Sequence, residues 1–480
     1  MGHQKHHGER GGRGLATPAT EPRHCIKFKH GGLRELRSRL LEDSAREHFA
    51  VLLGKTEILP SGTIINVYDQ RFLTSDDYQQ QSIAFLRLKK EFVYRTLQEL
   101  KQRYDIDTIV DVHTHPFCQA GVHFSGTDDA DEQTFFRFLC DKFSNIHYAS
   151  IVLSQSQYSA RVWTHAHERV VGEPARIKTQ TMPETITSAD FTPTSAIDVQ
   201  QQTLTESNGI FHRSTLALGL DVMRQITSEQ TIAVVGVGGL GSVIAEHLIH
   251  MGFHHLHLID PDVLEVSNLN RIVGAYYADA VEQMPKVAAV KHHLQKINPQ
   301  AVIVAHQCDV NDQQVEQALA LADWIIVATD NHTSRFRAQQ LSLRYFVPLI
   351  SVGVNITVAN QKIQDMSGEV ITARPGDRLC LNCLGRINPI QIAQESHNDQ
   401  QIRTELVKRG YVAGTKVKEP AVKTLNTMLA TLAVDTLINQ YLERQRHVPV
   451  LVYEDNLSKT IYEDHESVAR RNKHCFTCAV

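Results

Sequence analysis

The run Thr231-Ile-Ala-Val-Val, followed at once by Gly236-Val-Gly238-Gly239-Leu-Gly241-Ser242, constrains this chain more than any other stretch. A short buried strand that turns through glycines into a helix brings the two into close contact. The helix N-terminus it creates offers free N–H groups to a phosphate. The same rhythm continues downstream, where LHLID, VIVAH, WIIVA and LISVG are short apolar runs separated by helical segments. Such alternation predicts a mostly parallel, helix-covered sheet of Rossmann-like α/β type over residues 207–480. The glycines alone do not choose the nucleotide. Asp260, at the end of the second strand, suits the ribose hydroxyls of NAD and of ATP alike.

The polar residues that follow are more selective. Asp260-Pro-Asp262 leads into Ser267-Asn268-Leu-Asn270-Arg271, and further on stand Pro285-Lys286 and Thr-Asp330-Asn331 with Arg335. A dehydrogenase has no use for an arginine, a lysine and an aspartate converging on phosphates. An adenylating enzyme does, because pyrophosphate leaves as a carboxylate attacks the α-phosphate, and the growing charge needs cations and Mg²⁺. Arg271 and Lys286 suit the triphosphate, and Asp330 suits the metal. In this order the motifs resemble the ThiF/MoeB superfamily, which includes the ubiquitin-activating enzymes. That resemblance implies ATP as co-substrate and the C-terminal glycine of a ubiquitin-like protein as the group adenylated. It places Gly236, Gly238, Gly239, Gly241, Ser242, Asp260, Asn268, Arg271, Lys286, Asp330 and Asn331 around the nucleotide. It also implies a homodimer, with Arg213 matching an arginine that the family contributes across the interface.

Eight cysteines do not make a disulfide scaffold in a chain of 480 residues, and four of them form the pairs Cys380-Leu-Asn-Cys383 and Cys475-Phe-Thr-Cys478. Four thiolates suit a closed, tetrahedral structural zinc, with a redox role as the other reading. Family members that carry the activated protein as a thioester use a cysteine between the first pair and the late helix. Here Leu384 to Pro420 contains none. The expectation is an enzyme that stops at the acyl-adenylate or passes it to a partner's thiol or sulfide. Ala421–Leu442 reads as a core helix.

Upstream, residues 27–178 alternate strand-like runs (FAVLLG, TIINVYD, TIVDVHTH, YASIVLS, SARVWTH) with a helical stretch near Gln81–Tyr104. His113 and His115 stand two apart on a strand and so share a face. Asp128, returned at the start of the next helix in Ser125-Gly-Thr-Asp128, can join them on one metal. Three N/O ligands leave a fourth zinc position open for water, whose pKa the metal lowers to about 7. Glu47 is the candidate to take that water's proton, and Ser125 the donor to the oxyanion. The pattern resembles the JAMM (MPN+) metalloprotease family, which includes deubiquitinating isopeptidases. Its signature is a glutamate seven residues before a strand-ending glycine, then H-x-H-P and S-x-x-D. Glu47, Gly54, His113, His115, Pro116, Ser125 and Asp128 fill it. The fold implied is cytidine-deaminase-like. The Cys118-to-His123 loop is longer than the family usually carries.

Four segments result: a disordered tail over 1–26, a JAMM/MPN domain over 27–178, a Thr/Ser/Pro/Gln-rich linker over 179–206, and the adenylating domain over 207–480. A net charge of −4 with 21% charged residues gives no reason to expect nucleic acid or an anionic membrane. No apolar run is long enough to span a bilayer, and the N-terminus lacks a signal h-region. Cysteine usage favours the cytoplasm. The function expected is cleavage after the C-terminal glycine of a ubiquitin-like protein and ATP-dependent adenylation of that terminus. Resemblance to bacterial operons pairing these domains suggests a conjugation pathway, with phage defence as one setting and a conjugating enzyme or sulfur donor as further partner. Sulfur-carrier activation for cofactor or natural-product biosynthesis stays open, as does an MPN scaffold with an inactive protease site. An NAD oxidoreductase is opposed by Arg271, Lys286 and Asp330.

Overall fold

The structure is a computed structural model that describes residues 23–82, 86–116, 118, 121–166, 169–179, 187–188, 209–228, 230–396, 420–442 and 444–478. Two eight-stranded sheets carry the chain, one in each half.

The first sheet contains β1 (His24–Phe28), β2 (Phe49–Leu59), β3 (Gly62–Phe72), β6 (Thr108–Thr114), β7 (His147–Leu153), β8 (Gln157–Ala166), β9 (Arg169–Lys178) and β10 (Thr187–Ser188). The spatial order is β10-β8-β7-β6-β2-β3-β1-β9, and β9 also pairs with β8, so the sheet curls back on itself. A small hairpin, β4 (Tyr78–Gln81) with β5 (Leu86–Leu88), stands apart from it. One sheet face packs Leu52, Val67, Val112 and Ile151 under helix Gly32–Leu40 with its Leu33, Leu36 and Leu40. The other packs Val51, Leu53, Ile109 and Tyr148 against helices Lys90–Gln102 and Gly126–Lys142. The alternation of faces along β2 and β6 is what lets one strand serve both layers.

The second sheet contains β11 (Thr231–Val235), β12 (His255–Ile259), β13 (Val302–His306), β14 (Trp324–Val327), β15 (Leu349–Ala359), β16 (Lys362–Ala373), β17 (Val450–Asp455) and β18 (Lys459–Glu463). Its order is β13-β12-β11-β14-β15-β16-β17-β18. The first five strands are parallel and the last three antiparallel. The chain steps outward from β11 to β13 and returns to lay β14 on the other side of β11. That reversal opens a crevice at the strands' carboxyl ends. Helix Lys423–Leu442 covers β15 and β16, burying Leu425, Leu429, Ala433 and Leu437.

Several expectations change at the boundaries. The strand at His24 begins inside the segment expected to be a tail, because Cys25 and Ile26 pair in parallel with β3. The helix expected from Gln81 starts only at Lys90, since Tyr78–Gln81 and Leu86–Leu88 form the hairpin. Gly54 does not end its strand. A β-bulge at Leu53/Gly54 shifts the register and pairing continues to Leu59. Of the linker, Thr187–Ser188 pairs with β8, while 180–186 and 189–206 lie outside the described residues, as do 1–22 and 397–419.

The two halves meet closely. Ile64 of β3 is buried in the same cluster as Ala320, Leu341 and Val347 of the second half. The Lys27 ammonium, 2% exposed, donates to the carbonyl of Ala320 at 2.6 Å. Lys178 donates to the carbonyl of Leu321 and pairs with Asp323, both at 3.0 Å. These carbonyls end helix Gln313–Leu321, where cations satisfy otherwise unpaired acceptors and the negative end of the helix dipole. Arg344 pairs with Glu57 at 2.8 Å, and His30 with Asp377 at 2.8 Å.

Candidate functional sites

At the carboxyl end of β6, Asp111 and His113 point to one face and His115 follows directly. The ligand atoms of His113, His115 and Asp128 all lie within 4.8 Å of one another. Asp128 Oδ2 is 3.6 Å from His113 Nε2 and 3.9 Å from His115 Nε2. His113 Nε2 is buried without a hydrogen-bond partner. Leaving such an atom bare is costly, so an orphan nitrogen among three converging donors fits a metal ion. Ser125 is the N-cap of helix Gly126–Lys142. Its Oγ accepts from Asp128 N at 3.2 Å and its own N–H donates to Asp128 Oδ2 at 2.6 Å, a reciprocal capping box that fixes the aspartate rotamer. Burial works against ionisation of Asp128, but the His113 ring and the Ser125 bonds hold its carboxyl well below the usual range.

Glu47 precedes β2 and is 8% exposed. Burial pushes its carboxyl up to about 7; His113 works against that rise and Asp128 adds to it. Its backbone is clamped from both sides. Glu47 N donates to Ser82 O at 2.9 Å, and Gln81 Nε2 donates to Glu47 O at 2.9 Å. Neighbouring His48 N donates to Thr114 Oγ1 at 2.9 Å, and Phe49 N to Tyr78 OH at 3.1 Å. The sequence reading missed Gln81 and Tyr78 of the hairpin and Thr114 of β6, since side chains that bond to a distant backbone leave no motif. It also missed the buried network behind His113. Asp111 meets Tyr148 OH, and Glu132 meets Ser150 and Trp163 while pairing with Arg161 at 2.8 Å. Glu132 sits one turn after Asp128, and a carboxylate on a buried helix face was the one signal available.

In the second half, the glycine loop leaves β11 at the crevice. Gly236 has φ +88°, and a Cβ at Gly241 would stand 1.8 Å from Gly236 O, so neither position admits a side chain. The Cβ position of Gly238 meets nothing within 4 Å, and that of Gly239 lies 2.8 Å from Arg271 Cγ. Asp260 receives Val237 N at 2.7 Å and Asp262 N at 2.9 Å, tying the loop to β12; its burial pushes the carboxyl up. Lys286, at the start of helix Lys286–Ile297, pairs with Asp262 at 2.6 Å and lies 3.9 Å from Asp260. Arg271 Nη1 donates to Ser267 O at 2.8 Å. Asp330 is exposed at the end of β14, and beside it Thr329 Oγ1 is buried without a partner.

Three of the expected nucleotide contacts also accept backbone N–H groups of the protein. Ser242 is fully buried, with its Oγ accepting from Val273 N at 3.1 Å. Asn268 Oδ1 accepts from Glu265 N, and Asn331 Oδ1 caps helix His332–Arg344 through Ser334 N. These three brace the backbone around the site. Arg213 is exposed on helix His212–Leu218, and among the described contacts no hydrogen bond or ion pair joins it to the loop.

Cys380, Cys383, Cys475 and Cys478 converge within 4.8 Å. Cys380 and Cys475 sulfurs are 3.7 Å apart, far beyond a disulfide and close to the spacing of about 3.8 Å that Zn–S bonds of 2.3 Å give in a tetrahedron. Cys380 N donates to Cys383 Sγ, and hydrogen bonding from Cys380 holds the Cys383 thiol below its ordinary range.

Residues 211–477 match the model of the ThiF family. The chain belongs to the ThiF family. Residues 30–166 match the prokaryotic homologs of the JAB domain, so this ThiF chain carries a JAB domain in front. Among its relatives, a tRNA threonylcarbamoyladenosine dehydratase of Bacillus subtilis is 31% identical over 29% of this chain and 55% of its own length. A molybdopterin-synthase adenylyltransferase of Escherichia coli is 29% identical over 37% of this chain and 68% of its own. A crystal structure of E. coli MccB with MccA-N7isoAsn aligns at 17% identity and TM-score 0.44, over 57% of this chain and 76% of that one. The ThiF chain thus spans little more than half the length of the first of these relatives.

Proposed function

We propose that this protein cleaves after the C-terminal glycine of a ubiquitin-like protein and adenylates that terminus with ATP. What carries the reading is that one chain holds both a converging His113/His115/Asp128 set beside Glu47 and a glycine loop flanked by Arg271, Lys286 and Asp330.

In the JAB domain, His113, His115 and Asp128 would hold zinc, which when bound supplies Lewis acidity and lowers the pKa of a water. Glu47, its carboxyl raised to about 7 by burial, takes the attacking water's proton and returns it to the leaving amine. The Ser125 hydroxyl, whose oxygen is engaged by Asp128 N, keeps its hydrogen for the oxyanion. The exposed glycine carboxylate then attacks the α-phosphate of ATP in the ThiF domain and pyrophosphate departs. Arg271 and Lys286 take up charge on the phosphates, and Asp330 would hold Mg²⁺. The four cysteines would hold a structural zinc. Cys308 is buried with its thiol pushed up by that burial, which suits core packing rather than thioester carriage. Transfer beyond the adenylate therefore falls to a partner, a conjugating enzyme or a sulfur donor.

A bacterial conjugation pathway accommodates both activities. Sulfur-carrier activation is the second reading, favoured by the relatives named molybdopterin-synthase and ThiS adenylyltransferases. The test separates the two sites. ATP–pyrophosphate exchange should require a glycine-ended ubiquitin-like protein, vanish in Asp330→Ala and survive in Glu47→Ala. Cleavage of a C-terminally extended precursor should show the reverse. Loss of both activities in either variant would sink the reading.

A further inference from the structure

Resting on that dual activity, the structure bears on how the two reactions are connected. The ThiF domain meets the JAB domain at the amino-terminal edge of its parallel strands. Lys178 pairs with Asp323, the residue before β14, and Lys27 caps Ala320 at the end of the preceding helix. Arg344, which pairs with Glu57, ends helix His332–Arg344, whose first turn lies beside Asp330. That helix has 13 residues and so spans about 20 Å. The nucleotide crevice therefore opens on the far edge of the sheet from the JAB domain.

The protease centre is also remote from the interface. Phe49, beside Glu47, pairs with His113, whereas Glu57 pairs with Ile64 of the interface. The interface also reaches along β3 to Tyr68, which packs on Phe346 at 5.3 Å, and Asp69 beside it pairs with Leu53, so four residues of extended strand, about 13 Å, separate it from Phe49, and three strand spacings separate β6 from β1. Ile64, buried among second-half residues, and the Lys27, Lys178, His30 and Glu57 contacts hold this orientation as one body. A carrier whose tail is clasped at one centre cannot deliver that tail to the other by flexing, because the separation exceeds about six extended residues.

We propose that cleavage and adenylation are separate encounters, with the processed ubiquitin-like protein released to solution between them. No covalent bond links the steps. The first leaves a free glycine carboxylate, and the second binds it anew together with ATP. The high effective concentration that tethered sites usually provide is then absent.

Isotope dilution with the full chain tests this. The probe is the glycine-ended β-grasp protein that scores in the exchange assay, supplied as a light-isotope precursor extended beyond its glycine. An excess of heavy, already processed protein is added with ATP, and the adenylate is trapped with hydroxylamine and weighed. The expected result is a light fraction in the trapped product equal to that in the free pool, about a tenfold dilution under tenfold heavy excess. Light label retained above the pool fraction would overturn the proposal, whether transfer runs within a chain or between chains. Separate cleavage and exchange assays on the same preparation show whether both activities are present. Absence of either one rejects the functional reading itself, and this inference with it.

Discussion

Replacing Lys27 by methionine isolates what holds the JAB and ThiF domains together. Burial lowers the Lys27 ammonium from an ordinary 10.5 to about 8, with Lys178 adding to the effect. The folded state thus binds fewer protons than the unfolded state between about pH 8 and 10.5. Stability therefore rises with pH through that window, and below it the buried charge imposes its full penalty. A fall of about 2.5 units corresponds to about 3 kcal/mol. Lys27→Met removes this penalty but leaves the Ala320 carbonyl without its donor, a loss of about 1–3 kcal/mol. At pH 7 the two effects nearly cancel, and the variant should melt within a few degrees of the wild type. At pH 10.5 the folded lysine is neutral and the unfolded one about half neutral, so most of the penalty is gone and the lost hydrogen bond dominates. The variant should then melt below the wild type, the difference having moved by on the order of 5 °C between the two pH values. Calorimetric melting of both proteins across pH 7–10.5 measures it, and ionisations common to both cancel in the comparison. A difference that stays constant with pH would refute the claim that a charged lysine is buried at this interface.

Further outcomes follow from the two sites. Metal analysis should find about two zinc per chain, and Cys475→Ser should lose one of them along with several degrees of melting temperature while His113→Ala loses the other. Gln81→Glu removes the donor to Glu47 O without changing its shape; cleavage kcat should fall about tenfold with KM and zinc content unchanged. Gln81→Lys, which keeps an N–H donor, should recover much of that loss, and equal rates in all three proteins would end the positioning argument. Gly241→Ala forces a Cβ against Gly236 O, so pyrophosphate exchange should disappear while precursor cleavage persists; retained exchange would mean that the loop does not hold the nucleotide.

Local chemistry wrote much of this protein into its sequence. The β–glycine–α run at Thr231–Gly241 can close only by a turn that excludes side chains, so the glycine turn and the helix it opens were legible there. Period-two spacing put His113 and His115 on one face, and Ser125-x-x-Asp128 is a capping box whose geometry is intrinsic to four consecutive residues. The two C-x-x-C pairs announced their own convergence. What could not be read depends on contacts between segments distant in the chain. Ser242, Asn268 and Asn331 each accept a backbone N–H in the fold, a bracing contact that their motifs do not announce. Gln81 and Thr114 reach the Glu47 and His48 backbones through side chains distant in sequence, and only the fold brings them together. The strongest case is the interface. Lys27 and Lys178 look like ordinary strand lysines. Their caps on helix Gln313–Leu321 exist only once the two sheets pack together, and that packing sets how the two halves are oriented. Short-range periodicity and backbone sterics determine each site; the orientation between sites is a long-range packing solution that no local pattern encodes.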